Sequence, residues 1–128
     1  MYFIYVSTDT TAVESLEKVL RRLDQHKSLL SVDSGYDLIE FLQNVKEGES
    51  YPDLIILSTN DSRLNGCELL ELLKTDDIYR MIPVVMLFHE QNKKNQEFCD
   101  QMGTEYIPAP GLQTEWMYAA ERMCAACV

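Results

Sequence analysis

Three short apolar runs stand out along the chain, and none of them alternates with polar positions. They are Tyr2–Val6, Leu54–Leu57 and Val84–Phe88. A strand that is buried on both faces of a parallel sheet needs apolar side chains at successive positions. These runs therefore predict buried strands, and weaker runs at Ser28–Val32 and Tyr106–Ile107 predict two more.

Stretches with helical spacing of apolar residues lie between the predicted strands. The apolar positions of the first three stretches are Val13, Leu16, Leu20 and Leu23, then Leu38, Leu42 and Val45, then Leu69, Leu70, Leu72 and Leu73. Asn65, with Glu68 three positions later, predicts the N-cap of the third helix. A fourth helix is expected to end near Gly103, and a fifth to begin near Gln113.

Strands and helices thus alternate five times, without an internal repeat or a low-complexity tract. Right-handed crossover connections turn such an alternation into an open parallel sheet with helices on both faces. The predicted fold is a single doubly wound α/β domain over residues 1–128. In this architecture a ligand site lies outside the carboxyl ends of the strands. The residues that follow each strand are therefore the first candidates for function.

An excess of acidic residues gives the chain a net charge of −10. Such a surface repels both nucleic-acid phosphates and anionic lipids. No apolar run approaches the roughly 20 residues of a membrane-spanning helix, and the N-terminus lacks the features of a signal peptide. We therefore expect a cytoplasmic protein that binds neither nucleic acid nor membrane. Its cysteines (Cys67, Cys99, Cys124 and Cys127) are expected to be reduced.

Four segments of the chain form an ordered set. They are Pro52–Ser58, Leu64–Leu70, Ile82–Leu87 and Met102–Ile107, with Pro110 close behind the last. In these segments the sequence resembles the receiver domains of bacterial two-component response regulators, over essentially its whole length. The resemblance implies the flavodoxin-like strand order 2-1-3-4-5 with five helices.

The resemblance also assigns a place to each group of receiver chemistry. Receivers accept a phosphoryl group on an aspartate that ends the third strand, and two acids after the first strand hold Mg²⁺. A Ser or Thr ends the fourth strand and a Lys the fifth, and both contact the phosphoryl oxygens. By position, Ser58 replaces the phosphoacceptor, and Ser7 and Thr8 replace the acid pair. Phe88 replaces the Ser or Thr, and Ala109 replaces the Lys.

These replacements remove the usual chemistry of a receiver. A hydroxyl without a nearby base is a weak nucleophile at neutral pH, and neutral hydroxyls bring no charge to Mg²⁺. Without the Lys, no cation offsets the phosphoryl charge. We therefore expect a degenerate receiver, or pseudo-receiver, that is not an enzyme, has no catalytic residues and needs no cofactor. Mg²⁺ binding is expected to be lost or weak.

Asp9 and Asp61 are the carboxylates expected near this site. Asp9 either replaces one acid of the missing pair or caps the first helix, and the cap is the favoured interpretation. Asp61 is interpreted as a solvated loop acid. An alternative hypothesis makes Ser58 or Asp61 a non-standard phosphoacceptor. Neither His26 nor His89 has a predicted partner.

The leading functional hypothesis is a phosphorylation-independent interaction module without an output domain. Its partner would be a histidine kinase, another regulator, an output protein or a second copy. The expected surface comprises the fourth helix, the fifth strand and the fifth helix. Its aromatic residues would be Phe98, Tyr106, Trp116 and Tyr118, with the alternative that some of these four belong to the core. Tyr106 occupies the switch-aromatic position of receivers. Phe88 is predicted to fill the switch pocket and to hold the domain in one conformation.

Two further alternatives come from local motifs. The loop Ser7–Thr11 is rich in hydroxyls, as in the phosphate loop of flavodoxins, which suggests a flavin site. It lacks a glycine, however, and Asp9 would repel a phosphate. Cys124 and Cys127 have the spacing of a redox or zinc pair. Their position at the end of the last helix favours a packing role.

Overall fold

One parallel sheet of five strands, in the order β2-β1-β3-β4-β5, organises the molecule. The computed structural model describes residues 2–23, 28–58 and 66–127. The strands are β1 (Tyr2–Val6), β2 (Ser28–Val32), β3 (Leu54–Ser58), β4 (Val84–Phe88) and β5 (Glu105–Pro108). The helices are α1 (Thr10–Leu23), α2 (Gly35–Gln43), α3 (Gly66–Thr75), α4 (Lys93–Gln101) and α5 (Gln113–Ala126), with a short 3-10 turn at Tyr79–Met81. The predicted fold class and strand order are confirmed.

The sheet separates two apolar cores, which explains why the strands are apolar at successive positions. In β1, Phe3 and Tyr5 pack on the side of α1 and α5. Ile4 and Val6 pack on the side of α2, α3 and α4. Side chains of a strand alternate between the two faces of a sheet. Both faces of β1, β3 and β4 are therefore buried, as a doubly wound sheet requires.

Three apolar residues assigned to predicted helix faces lie elsewhere. Leu23, the last residue of α1, is 39% exposed. Val45 lies beyond α2, because the helix ends at Gln43 and Asn44 closes it by donating its N–H to Glu40 O. Leu72 is 52% exposed, because the other leucines of α3 fill its buried face. Within the described ranges, no helix is both long and apolar enough to cross a membrane.

Helix ends follow the capping signals where the structure describes them. Asp9 accepts a hydrogen bond from the N–H of Ala12 (3.2 Å) and so caps α1, as predicted. Gly103 follows α4 with a φ of +69°, as predicted for the residue after a helix. Three residues named above lie outside the described ranges: Asn65, His26 and Asp61.

Gly66 begins α3 in very close contact with the end of β3. A Cβ atom at Gly66 would lie 2.5 Å from the backbone O of Ser58 and 3.0 Å from Sδ of Met86. Real side chains do not approach a carbonyl oxygen so closely. The absence of a side chain at Gly66 therefore lets the helix start directly against the strand end.

We expect Gly66→Ala to lower the free energy of unfolding by about 1–3 kcal/mol, the usual cost of overpacking. The loss should appear although alanine is the better helix former. Gly111→Ala is the control, because its Cβ would meet Oε1 of Glu115 at an ordinary 3.8 Å. Urea denaturation measures both variants. Equal stabilities for the two would contradict the proposed clash.

Candidate functional site: the cleft at the strand ends

A cleft of ≈ 530 Å³ opens at the carboxyl ends of the strands. This volume is within the usual range for small-molecule sites. Its lining residues are Tyr5, Val6, Ser7, Thr8, Asp9, Ala12, Asp33, Asp37, Ser58, His89, Ala109, Pro110 and Trp116. All five strands contribute to this lining, either through residues at their carboxyl ends or through residues that directly follow them.

The structure brings five of the predicted site residues together in this cleft: Ser7, Thr8, Asp9, Ser58 and Ala109. Parallel pairing explains the grouping, because β1, β3 and β4 end at the same edge of the sheet. Ser58 pairs with Leu87 in the register of β3 and β4. Four of the positions that the resemblance assigns to receiver chemistry, Ser7, Thr8, Ser58 and Ala109, therefore line one cleft.

The loop after β1 is arranged by hydrogen bonds rather than by charge. Oγ of Ser7 accepts a hydrogen bond from the N–H of Asp9 (3.0 Å). The N–H of Ser7 donates to the backbone O of Val32 (2.9 Å), which joins this loop to the end of β2. Since Oδ1 of Asp9 caps α1, the interpretation of Asp9 as a helix cap is confirmed.

Two further carboxylates line the cleft, so the expectation that Asp9 and Asp61 are the carboxylates of the site is wrong. Asp33 directly follows β2, and Asp37 lies in the first turn of α2. Oγ of Ser34 accepts a hydrogen bond from the N–H of Asp37 (3.2 Å) and fixes this turn. The rule that points to strand ends applies to β2 as well, and it would have identified Asp33.

The electrostatic character of the cleft is therefore acidic. Three carboxylates line it, and none of its described lining residues is Lys or Arg. In the described ranges, no group of three or more His, Cys, Asp or Glu side chains is placed to hold a metal ion. His89 is exposed on the rim.

Tyr5 and Trp116 form the aromatic wall of the cleft, with ring centroids 6.4 Å apart. Trp116 is only 5% exposed and belongs to the core between the sheet and the α1–α5 pair. Of the two places left open for Trp116, the outer surface and the core, the structure shows the core. Burial raises the pKa of Tyr5 to about 12, and Asp9 adds to the rise while Ser7 opposes it.

Phe88 does not line the cleft but stacks on Tyr106. The two rings are nearly parallel, at an angle of 10°, with centroids 4.1 Å apart. The Tyr106 hydroxyl is enclosed and makes no hydrogen bond of normal geometry with any described residue. Burial raises the pKa of Tyr106, and the nearby polar groups of Asn92 and Asn95 oppose that rise.

The outer surface of β5 and α5 carries one strongly exposed aromatic residue. Tyr118 is 60% exposed, and the guanidinium carbon of Arg122 lies 5.7 Å from its ring centroid. Arg122 Nε donates to Oε1 of Glu105 (2.8 Å) and so joins α5 to β5. Phe98, in contrast, is partly buried against the core beneath α2, α3 and α4.

The two cysteines near the C-terminus form no disulfide with any described residue, and both pack against the α1–α5 core. Sγ of Cys127 contacts the backbone O of Met123 at 3.4 Å. The arrangement fits the packing role expected for Cys124 and Cys127.

Comparisons with known proteins place this geometry in a recognised fold. No protein-family model matches the chain, and no curated protein sequence matches it. The Mn²⁺-bound form of the response regulator Rcp1 is 20% identical, with a TM-score of 0.81 over 94% of this chain and 89% of that one. The phosphorylated cyanobacterial phytochrome response regulator RcpA is 21% identical, with a TM-score of 0.82 over the same shares.

A chemotaxis protein gives the same result. CheY4 of Vibrio cholerae is 16% identical, with a TM-score of 0.74 over 95% of this chain and 97% of that one. At these identities the likeness establishes the fold. The chain has the flavodoxin-like fold of response-regulator receiver domains.

Proposed function

We propose that the protein is a degenerate receiver domain of two-component signalling that acts as a protein-interaction module without being phosphorylated. The observation that carries this proposal is the set of side chains at the strand ends. Ser58, Ser7, Thr8 and Ala109 share one cleft, and none of them is a carboxylate or a cation. The module catalyses no reaction and requires no cofactor.

The charge of the cleft supports this proposal independently. A phosphoryl group on Ser58 would carry between one and two negative charges near neutral pH. It would lie in a cleft lined by Asp9, Asp33 and Asp37, with no cationic side chain among the described lining residues. The same repulsion acts against the phosphate of a flavin mononucleotide, which is the reason for not proposing a flavin site.

The stacked pair of Phe88 and Tyr106 supports a single conformation. In receivers, the residues at these two positions move together on activation. Here the rings lie face to face at 4.1 Å, and turning Tyr106 outward would break that contact. The domain therefore presents one fixed surface to its partner.

The surface proposed for docking consists of the outer sides of α4, β5 and α5. Tyr118 is its exposed aromatic residue. A shallow groove of ≈ 370 Å³ lies beside it, lined by Pro108, Thr114, Glu115, Tyr118 and Ala119. Exposed tyrosines often contribute much of the binding energy at the centre of an interface.

Incubation with acetyl phosphate and Mg²⁺, followed by mass spectrometry of the intact protein, tests phosphorylation. We expect no phosphoryl adduct, because the cleft lacks the aspartate, the acid pair and the lysine. Ser58→Asp should also remain unmodified, since it restores only one of these groups. A receiver with the complete set serves as the positive control. An adduct that disappears in Ser58→Ala or Asp61→Ala would contradict the proposal.

The docking surface is tested with Tyr118→Ala against Tyr36→Ala. Tyr36 is a matched control, because it is 61% exposed and lies on α2. We expect Tyr118→Ala to weaken binding of the signalling partner recovered from the host, or self-association, by at least about tenfold. Tyr36→Ala and acetyl phosphate should leave it unchanged. Calorimetry and sedimentation measure these effects, and equal binding by both variants would exclude the proposed surface.

A further inference from the structure

The two edges of the sheet differ in how well they are protected. β5 ends in Pro108, which has no N–H to donate, and Glu105 of the same strand pairs with Arg122. β2 forms the opposite edge, and its sequence Ser-Leu-Leu-Ser-Val contains neither a charged residue nor a proline. Charges and proline are common protections of an edge strand, because an unprotected edge pairs readily with another chain. β2 is therefore the edge that can accept a further strand.

The backbone groups on the outer side of β2 belong to Leu29 and Ser31. The backbone O of Val32 accepts a hydrogen bond from the N–H of Ser7 (2.9 Å), so the backbone groups of Val32 point to β1. Successive residues of a strand point these groups to opposite sides. Those of Leu30 therefore also point to β1, and those of Leu29 and Ser31 point away from the sheet. Among the described residues, none forms a hydrogen bond with these outward groups.

Leu30 adds an exposed apolar side chain to this edge. It lies between the two residues with outward backbone groups and is 44% exposed. Side chains alternate between the faces of a sheet, so Leu30 lies on the same face as Val32, which packs toward α2, α3 and α4. Covering the exposed part of a leucine side chain is favourable. A strand added beside β2 would therefore gain an apolar contact as well as hydrogen bonds.

We propose that β2 pairs with β2 of a second copy in antiparallel orientation, which joins the two sheets into one continuous sheet. The two-fold axis passes through the pair of Leu30 residues. In this register Leu29 of each copy lies opposite Ser31 of the other, and the two residues exchange both of their N–H···O bonds. The two Leu30 residues form a pair without hydrogen bonds, in which the side chains approach most closely.

The distribution of charge favours a second copy as the occupant of this edge. Two chains of net charge −10 repel each other, and like charges directly opposite each other destabilise paired strands. In the register centred on Leu30 the outermost pair joins Ser28 to Val32, so every residue of β2 lies opposite an uncharged one. A basic peptide, in contrast, would find no carboxylate within β2. The dimer lies at the opposite edge of the sheet from β5 and does not depend on the proposed signalling role.

Sedimentation equilibrium of the full chain over a range of concentrations measures this association. We expect a reversible dimer. Ser31→Pro removes one outward N–H from each copy and leaves the hydrogen bonds to β1 in place, as an edge strand tolerates. It should weaken the dimer at least about tenfold, because two interface hydrogen bonds are lost. Ser31→Ala keeps the N–H and should change the association less than about threefold. Urea denaturation confirms that each variant is folded.

A charge on the two-fold axis gives a second test, which leaves the backbone unchanged. Leu30→Lys removes the apolar contact and places two like charges opposite each other, so it should also weaken the dimer at least about tenfold. Leu72→Lys is the matched control, because Leu72 is 52% exposed and lies on α3. It adds the same charge away from the edge and should change the association less than about threefold.

Several results would overturn the proposal. They are a monomer at every concentration, equal association of Ser31→Pro and Ser31→Ala, and equal association of Leu30→Lys and Leu72→Lys. A dimer that Tyr118→Ala weakens and Leu30→Lys does not would belong to the other edge of the sheet and would also overturn it. Hydrogen exchange provides a direct reading of the edge. The amides of Leu29 and Ser31 should exchange more slowly as the protein concentration rises, and protection that appears only with an added lysine-rich peptide would contradict the dimer. None of these results bears on phosphorylation.

Discussion

Burial of the central strands on both faces is the constraint from which the site arises. Because β1, β3 and β4 must present apolar side chains to two cores, the polar residues of the cleft are confined to the last positions of these strands and the loops beyond them. Parallel pairing then places those loops at one edge of the sheet. The cleft between Ser7, Asp33, Ser58 and Ala109 is a direct result of that geometry, and its chemistry depends on which residues the loops carry.

The sign of the charge in the cleft bears on the proposed function. The resemblance to receivers implies a site that balances its acids with Mg²⁺ and a lysine. This cleft has carboxylates on the β2–α2 side, and Ala109 stands where the resemblance would put the lysine. The described lining therefore opposes a phosphoryl group. Outside the cleft, Phe88 stacks on Tyr106, which supports the proposal that the domain keeps one conformation. Under that proposal, a fixed surface around Tyr118 is the route to a partner.

Periodicity predicted the fold well because burial on two faces leaves a strong, continuous apolar pattern in the strands. It predicted the site less completely. Asp33 was missed because β2 is a half-exposed edge strand, which leaves only a weak apolar pattern in the sequence. The place of Trp116, on the outer surface or in the core, was left open because the spacing of apolar residues in α5 does not show which side faces the sheet. The stacking of Phe88 on Tyr106 depends on ring orientation, which a sequence pattern cannot specify.

We propose that Phe88, at the position of the switch residue, holds Tyr106 in one conformation that phosphorylation chemistry does not change. NMR measurement of contacts between the ring protons of Phe88 and Tyr106, with and without acetyl phosphate and Mg²⁺, tests this proposal. We expect strong contacts between the rings, one rotamer of Tyr106 and identical spectra under both conditions. Two populated rotamers of Tyr106, or loss of the ring contacts on addition of the phosphodonor, would overturn the proposal.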